Sequence, residues 1–403
     1  MVSKMRDFKF VDSSKEMDKE QIRESLTYWK DVWRRLKGNV VAVIGLIGVI
    51  LVILFGVVGP MLSPYYFSDQ ITDFAYLTPT LDVFQITNVD DGDSENYFVH
   101  LNNDYRLLLI SEDGHVLERL IYTGRDRANF IYFYDYEGEE IAVDYSKRTD
   151  DEYTGDIDYT ITFRGEETLY PTKTVWNKTF LLGSDHLGRD ILCRLMYGAR
   201  ISLTVAFVAA TVNLLIGVAY GSISGFKGGT IDNLMMRIVD IINSIPLVIY
   251  VILLMVLLDK SNMWTIIIAL GSVYWVGMAR LVRGQILSLK DLEFVLAART
   301  LGVSQGKIIT KHLIPNAIGP ILVSLTMMIP TAIFTEAFLS FIGIGMSAPA
   351  ASWGTMANEA ISLLEKYPYQ LMLPSLAIGI TVLSFNFLGD GLRSALDPRL
   401  RKG

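Results

Sequence analysis

Cysteine is all but missing from this chain: only Cys193 occurs, so no internal disulfide can form and every part of the fold must be stable without one. A lone thiol with no histidine beside it has no activator, which makes Cys193 a packing residue rather than a nucleophile. Charge is sparse in six long, mainly apolar stretches: Val40–Leu62, Ile201–Ser224, Ile231–Leu258, Met263–Ile286, Ile318–Ile344 and Leu371–Leu392. Each is near the roughly 20 apolar residues that a bilayer asks of a helix. With 51% hydrophobic residues and a mean hydropathy of +0.34, the chain is more apolar than soluble globular proteins are. No short apolar leader with a small-residue cleavage site precedes the first run, so the expectation is an uncleaved anchor. Histidine is scarce too: His100, His115, His186 and His312 all fall outside the six runs, which argues against a metal path through them.

The charges that are present set an expected topology. Residues 1–38 hold ten Lys and Arg, residues 280–311 hold six, and the tail adds Arg393, Arg399, Arg401 and Lys402. Positive charge near span ends prefers the cytoplasm, so both termini are expected inside and residues 63–199 outside, along with the short loop near Lys260 and the loop from Gly345 to Gln370. Arg189, Arg194 and Arg200 run against that rule, which governs long translocated segments weakly. Residues 62–182 carry 24 Asp and Glu against 9 Lys and Arg. That segment is thus at −15 within a chain of −7, and the remainder is at +8.

The segment 63–181 has no membrane-length run and reads as a β-rich insert. In "DIDYTITFR", residues 156–164, Ile157, Tyr159, Ile161 and Phe163 share one face of a strand. Asp113-Gly114 and Glu137-Gly138 each separate two apolar β-rich runs, as hairpin turns do. Its acidity reads first as a solvated surface, with an electrostatic docking face as the alternative. Asn177-Lys178-Thr179 matches a glycosylation acceptor, a pattern short enough to arise by chance. Asp185, His186 and Asp190 read as the cap of a membrane-adjacent helix rather than as metal ligands, because no tighter ligand cluster accompanies them.

Between two apolar runs lies "EFVLAARTLGVSQGKIITKHLIPN", residues 293–316. Asp291 can cap a helix whose Phe294, Ala297, Ala298 and Leu301 share a face, and Gly302 offers a left-handed ending. Ser304 can cap a second helix that Ile308, Ile309, Leu313 and Ile314 lead back to the membrane. The two make a helix-turn-helix whose paired alanines leave a shallow surface for another protein. The stretch from Gly302 to Lys307 is not a phosphate-binding loop: three residues separate the glycines, and Ile308 stands where Ser or Thr should bind magnesium.

"AARTLG" followed by "KHLIPN" resembles the EAA loop by which ABC importer permeases dock on their ATPase, although Leu296 replaces the family's leading Glu. "LGSDHLGRDILCRLMYGARISL" (182–203), "RIVDIINSIP" (237–246), "EAFLSFIGIG" (336–345), "SWGTM" (352–356), "NFLGDGLRSALDPRLR" (386–401) and the "RRLKGN" entry to the first span narrow the resemblance to the oligopeptide, dipeptide and nickel group, nearest its C-type permeases. The resemblance implies an all-α polytopic membrane protein of six spans in the type I importer fold, here with a β-rich extracytoplasmic insert. The implied units are a cytoplasmic segment 1–38, a first span 39–62, the insert 63–181, and a permease core 182–403 with its coupling loop at 291–316.

It further implies a bacterial cytoplasmic-membrane subunit with no catalytic centre and no cofactor of its own. ATP and magnesium belong to two partner ATPases, and a second permease and an extracytoplasmic peptide-binding protein complete the assembly. The bilayer is a partner; nucleic acid is not. Phe294, Ala297, Ala298, Arg299, Leu301 and Gly302 become the candidate ATPase contact. For the path, Glu336 stands out, because a carboxylate in hydrocarbon costs roughly 2.5–3.5 kcal/mol and must face a partner or water. Thr335, Ser340 and Asn386 join it as candidates, either lining the path or bracing the bundle.

Arg237 and Asp240, three apart, can form a structural ion pair. Gly217, Gly221 and Gly225 have the spacing of a close helix contact. Pro246 and Pro330 mark bends. Ile22, Leu26, Trp29, Trp33 and Leu36 form a stripe suited to a helix on the inner leaflet. A nickel or metal-chelate importer and a membrane sensor with an outer β domain remain the rival readings.

Overall fold

The computed structural model describes residues 28–87, 96–102, 104–149, 158–258, 262–346 and 349–396. Ile22, Leu26, Ile157, Lys260 and the tail's Arg399, Arg401 and Lys402 lie outside them. Among the described residues five helices are long and apolar enough to cross a membrane. The first is α2 (Val40–Val57), preceded by α1 (Tyr28–Gly38) and followed by a short turn of helix, α3 (Gly59–Leu62). The second, α4 (Ile191–Lys227), begins ten residues before the apolar run because Asp190 caps it, accepting from the amides of Leu192 and Cys193. At 37 residues α4 is long enough to stand well clear of the hydrocarbon.

The run Ile231–Leu258, expected as one span with a bend at Pro246, is not one helix. It breaks into α5 (Gly229–Ser244) and α6 (Leu247–Leu258), which meet at 85°. Pro246 at the joint has no amide to continue the ladder and holds Ile245 in an extended conformation, φ −83°, ψ 122°. The pair makes a sixth span only if counted together. The chain continues through α7 (Met263–Leu289), the short α8 (Glu293–Thr300), α9 (Gln305–Ile308), α10 (Ile314–Leu339), α11 (Trp353–Ala360) and α12 (Pro368–Leu396). A π-turn, Ile309–Leu313, joins α9 to α10, and Pro330 lies inside α10 without breaking it.

Close contact of α4 with α7 is built on glycine. A methyl group on Gly217 would sit 2.5 Å from the Met278 Cβ, and one on Gly221 would sit 2.4 Å from the Ala279 carbonyl. The same addition at Gly225 would reach 2.9 Å from the Arg283 carbonyl. Small residues every fourth position let the two backbones meet. Val49, Leu203, Ala206, Ile333 and Phe385 form a second seam, where α2, α4, α10 and α12 converge.

The insert is a pair of antiparallel sheets. One has the order β10-β1-β2-β3-β4, from β1 (Thr80–Thr87), β2 (Asn96–Leu101), β3 (Leu107–Ile110), β4 (Val116–Arg119) and β10 (Lys173–Trp176). The other runs β5 (Ile121–Asp126), β6 (Ile131–Tyr136), β7 (Glu139–Asp144), β8 (Thr160–Phe163) and β9 (Glu166–Thr168) in sequence order. Both expected hairpin turns form: Gly114 has φ +91°, and Glu137 and Gly138 have φ +51° and +85°, the signature of a two-residue primed turn. A third, Arg164-Gly165, joins β8 to β9.

The first sheet is buried on both faces. Leu107 and Leu109 face a core shared with Tyr134, Ile141, Val143 and Ile161 of the second sheet. Leu108 and Ile110 face a different core with Leu77, Leu81 and Phe180, towards the necks of the insert. Ile161 and Phe163 lie inward with Tyr159 packed against them, as the strand pattern anticipates.

Candidate functional site

The segment after α7 folds back on the helix ends as a short hairpin. Val295 is fully buried and Ala298 nearly so, packing with Met278, Val282 and Ile286 of α7 and with Ile308, Leu313 and Ala317 of the returning helix. Gly302, at φ +75°, ends α8, and the Val303 amide reaches back to the Ala298 carbonyl. The Arg299 guanidinium lies 5.2 Å from the Phe226 ring at the end of α4, and the Lys227 ammonium donates to Gln305 at 3.1 Å. These contacts clamp the hairpin to the bundle.

Two expectations about this hairpin are corrected. Asp291 does not cap α8: the position before the helix is Leu292, and neither it nor Ser304 ahead of α9 makes a side-chain cap bond. Ala298 points into the bundle, on the same side as Val295, rather than outward with Ala297. The outward set is Phe294, Ala297 and Leu301, flanked by Leu292 and Leu296, with Arg299 and Gly302 also exposed. Leu301 is 82% exposed.

Of the candidate path residues, Glu336 is fully buried, and its carboxylate accepts from Ser202 Oγ of α4 at 2.8 Å and from Ser340 Oγ at 2.9 Å. Thr335 accepts from the Tyr274 hydroxyl of α7 at 2.6 Å. Asn386 is half-buried on α12 and does not bond Glu336. The ion pair expected within α5 forms elsewhere. Asp240 accepts from Arg280 of α7 at 2.8 Å instead of from Arg237, so it ties two helices together. In the same pair of helices Asp232 holds Arg283 through two bonds of 2.6 Å, a tie the sequence does not signal because 51 residues separate the partners.

At the opposite end Asp185, Arg189, Arg194 and Glu359 form a compact cluster. Arg189 Nε donates to Asp185 at 2.6 Å, Arg189 Nη2 to Glu359 at 3.0 Å, and Arg194 Nη1 to both carboxylates. Burial works to raise the Asp185 pKa, but the Arg194 and Arg189 guanidiniums outweigh it and hold the carboxyl below its ordinary range. His186 lies within ligand distance of Asp185 and Glu359, yet both carboxylates already neutralise arginine. The set is an ion-pair cluster by chemistry rather than a metal centre. Its Asp185–Arg189 spacing of four was visible in sequence; Glu359 was not. Asn177 is fully buried, donating to Thr78 O and accepting from the Phe180 amide, so it is a structural residue and not an accessible glycan acceptor.

Residues 217–402 match the family model of the binding-protein-dependent transport system inner membrane component, and residues 27–79 match the N-terminal membrane domain of oligopeptide transport permease C. The oligopeptide transport system permease protein of Bacillus subtilis is 53% identical over 58% of this chain and 74% of its own length. The dipeptide transport system permease protein of the same organism is 49% identical over 59% of this chain and 72% of its own. The chain belongs to the oligopeptide and dipeptide permease family of ABC importers. A solved methionine ABC transporter, MetNI in an inward-facing form, has a TM-score of 0.41 at 19% identity, covering 51% of this chain and 96% of that one. The permease is an integral membrane protein and a non-catalytic transport subunit; in this family ATP hydrolysis resides in separate subunits. The amphipathic stripe of α1 divides in two: Leu36, with Val32 outside the stripe, packs on Ala395 and Leu396 of α12, while Trp29 and Trp33 stay exposed.

Proposed function

We propose that the permease moves short peptides into the cell as one of two unlike permease subunits, fed by an extracytoplasmic binding protein and driven by two ATPases. Its termini and the α8 hairpin lie in the cytoplasm and the β insert outside, in keeping with the basic N-terminal segment and the Lys and Arg of residues 280–311. The observation that carries the coupling reading is the exposed apolar face Phe294, Ala297 and Leu301, held on a rigid base by buried Val295 and Ala298. A face of this kind fits a groove on a partner protein. Glu336 and Thr335 brace α10 against α4 and α7, and the peptide path runs between the two permeases. The insert shields the outer mouth and helps receive the binding protein.

The test is to purify the complex carrying Leu301→Asp or Phe294→Ala. The expected outcome is loss of ATPase co-purification and of peptide uptake, with the permease pair still assembled. Wild-type levels of both in Leu301→Asp overturn the coupling assignment.

A further inference from the structure

A cavity of about 530 Å³ lies at the base of the insert. Its wall is the last turns of α2 with α3, through Leu54, Phe55, Val58 and Leu62, and the first turns of α4, through Leu192 and Met196. The two necks of the insert roof it. It runs from the last turn of α2 along α3, so it lies at the end of the first span nearest the insert. Leu62 and Leu181 on its rim are 79% and 53% exposed.

The polar groups of the lining are nearly all committed. Ser63 Oγ accepts from the Tyr65 amide at 3.2 Å, Thr179 Oγ1 from the Val116 amide at 2.8 Å, and Asp190 from the first amides of α4. The exceptions are the Tyr65 hydroxyl and Lys178, whose ammonium stands at the roof, half-exposed and 3.8 Å from an Asp113 carboxylate that is itself in solvent. A peptide entering here would leave its amides unpaired. A helix crossing the bilayer would run into the necks. A mainly apolar interior below a single cation fits an apolar chain under an anionic head.

We propose that this cavity binds one acyl chain of an anionic phospholipid, with Lys178 on its phosphate. An acyl chain gains little by moving from bilayer to protein, so selectivity rests on the headgroup. The site is independent of what the permease transports.

The complex is delipidated in mild detergent, offered phosphatidylglycerol or phosphatidylcholine, and weighed intact by native mass spectrometry. Wild type should retain one phospholipid per permease that Leu192→Trp, which fills the cavity, does not. Lys178→Glu should abolish a preference for phosphatidylglycerol of about fivefold, the weight of one surface cation on an anionic headgroup. A photoreactive residue at the exposed position 62 reads occupancy without disturbing packing and should label phospholipid. Labelling of the second permease, equal lipid retention in wild type and Leu192→Trp, or no headgroup preference in wild type each overturns the proposal.

Discussion

Asp190 performs two opposed jobs at one position. Its carboxylate caps α4, while burial raises its pKa from an ordinary value near 4 to about 6. The folded state therefore holds the proton more tightly than the unfolded state. Stability is expected to fall as pH rises from about 4 to about 6 and to level off above, a span worth roughly 3 kcal/mol. Asp190→Asn, which keeps an acceptor for the cap, should flatten that slope in the unfolding midpoint of the purified complex. Asp185 acts in another window: its depressed pKa gives stability that is lost only as pH falls below the ordinary carboxylate range. Glu336 is a different case, a carboxylate closed in by two hydroxyls. Glu336→Gln keeps an acceptor and should assemble normally, whereas Glu336→Ala strands both serines and should lower stability by about 1–3 kcal/mol. Equal unfolding midpoints for the two variants count against the bracing role.

Helix α4 and the hairpin at α8 show how much a single element carries. A β-carbon at Gly221 meets backbone oxygen of α7, which cannot swing aside as a side chain can. Gly221→Ala should cost about 1–3 kcal/mol and Gly221→Leu should prevent assembly, as size-exclusion profiles of the complex would report. The glycine spacing was legible because a period of four places all three on one helix face; their partner helix was not, since nothing local names it. The α8 hairpin was legible as helix, turn and helix for the same local reason. Which alanine faces out depended on where α7 lies, so Ala298 was assigned to the docking face and belongs to the core. Val295→Asp should accordingly deplete folded protein, measured as yield from membranes, whereas Leu301→Asp should leave yield intact.

On the scale of the whole molecule, the insert is seated on the membrane body rather than tethered by two loose necks. The Leu77 amide donates to Ser184 Oγ, Tyr369 donates to the Leu77 carbonyl, and the Tyr76 and Tyr367 rings stack at 5.5 Å. Beside this seat the Asp185 cluster joins the neck, α4 and α11. Asp185→Asn leaves two buried guanidiniums short of charge and should destabilise by about 3–5 kcal/mol, the cost of breaking a buried pair. Glu359→Gln should cost much less, because the Glu359 side chain is 26% exposed against 6% for Asp185. Similar unfolding midpoints for these two variants contradict that ranking.

The sequence by itself determined what local rules govern: the apolar runs, the hairpin turns at Gly114 and Gly138, the left-handed Gly302 and the family motifs. Each depends on neighbours within a few residues along the chain. Only the tertiary structure decided which face of α8 is buried, that Asp240 pairs with Arg280, and that Glu359 completes the arginine cluster. In each of these the deciding partner or packing surface comes from another part of the chain, and its distance is set by how the helices pack.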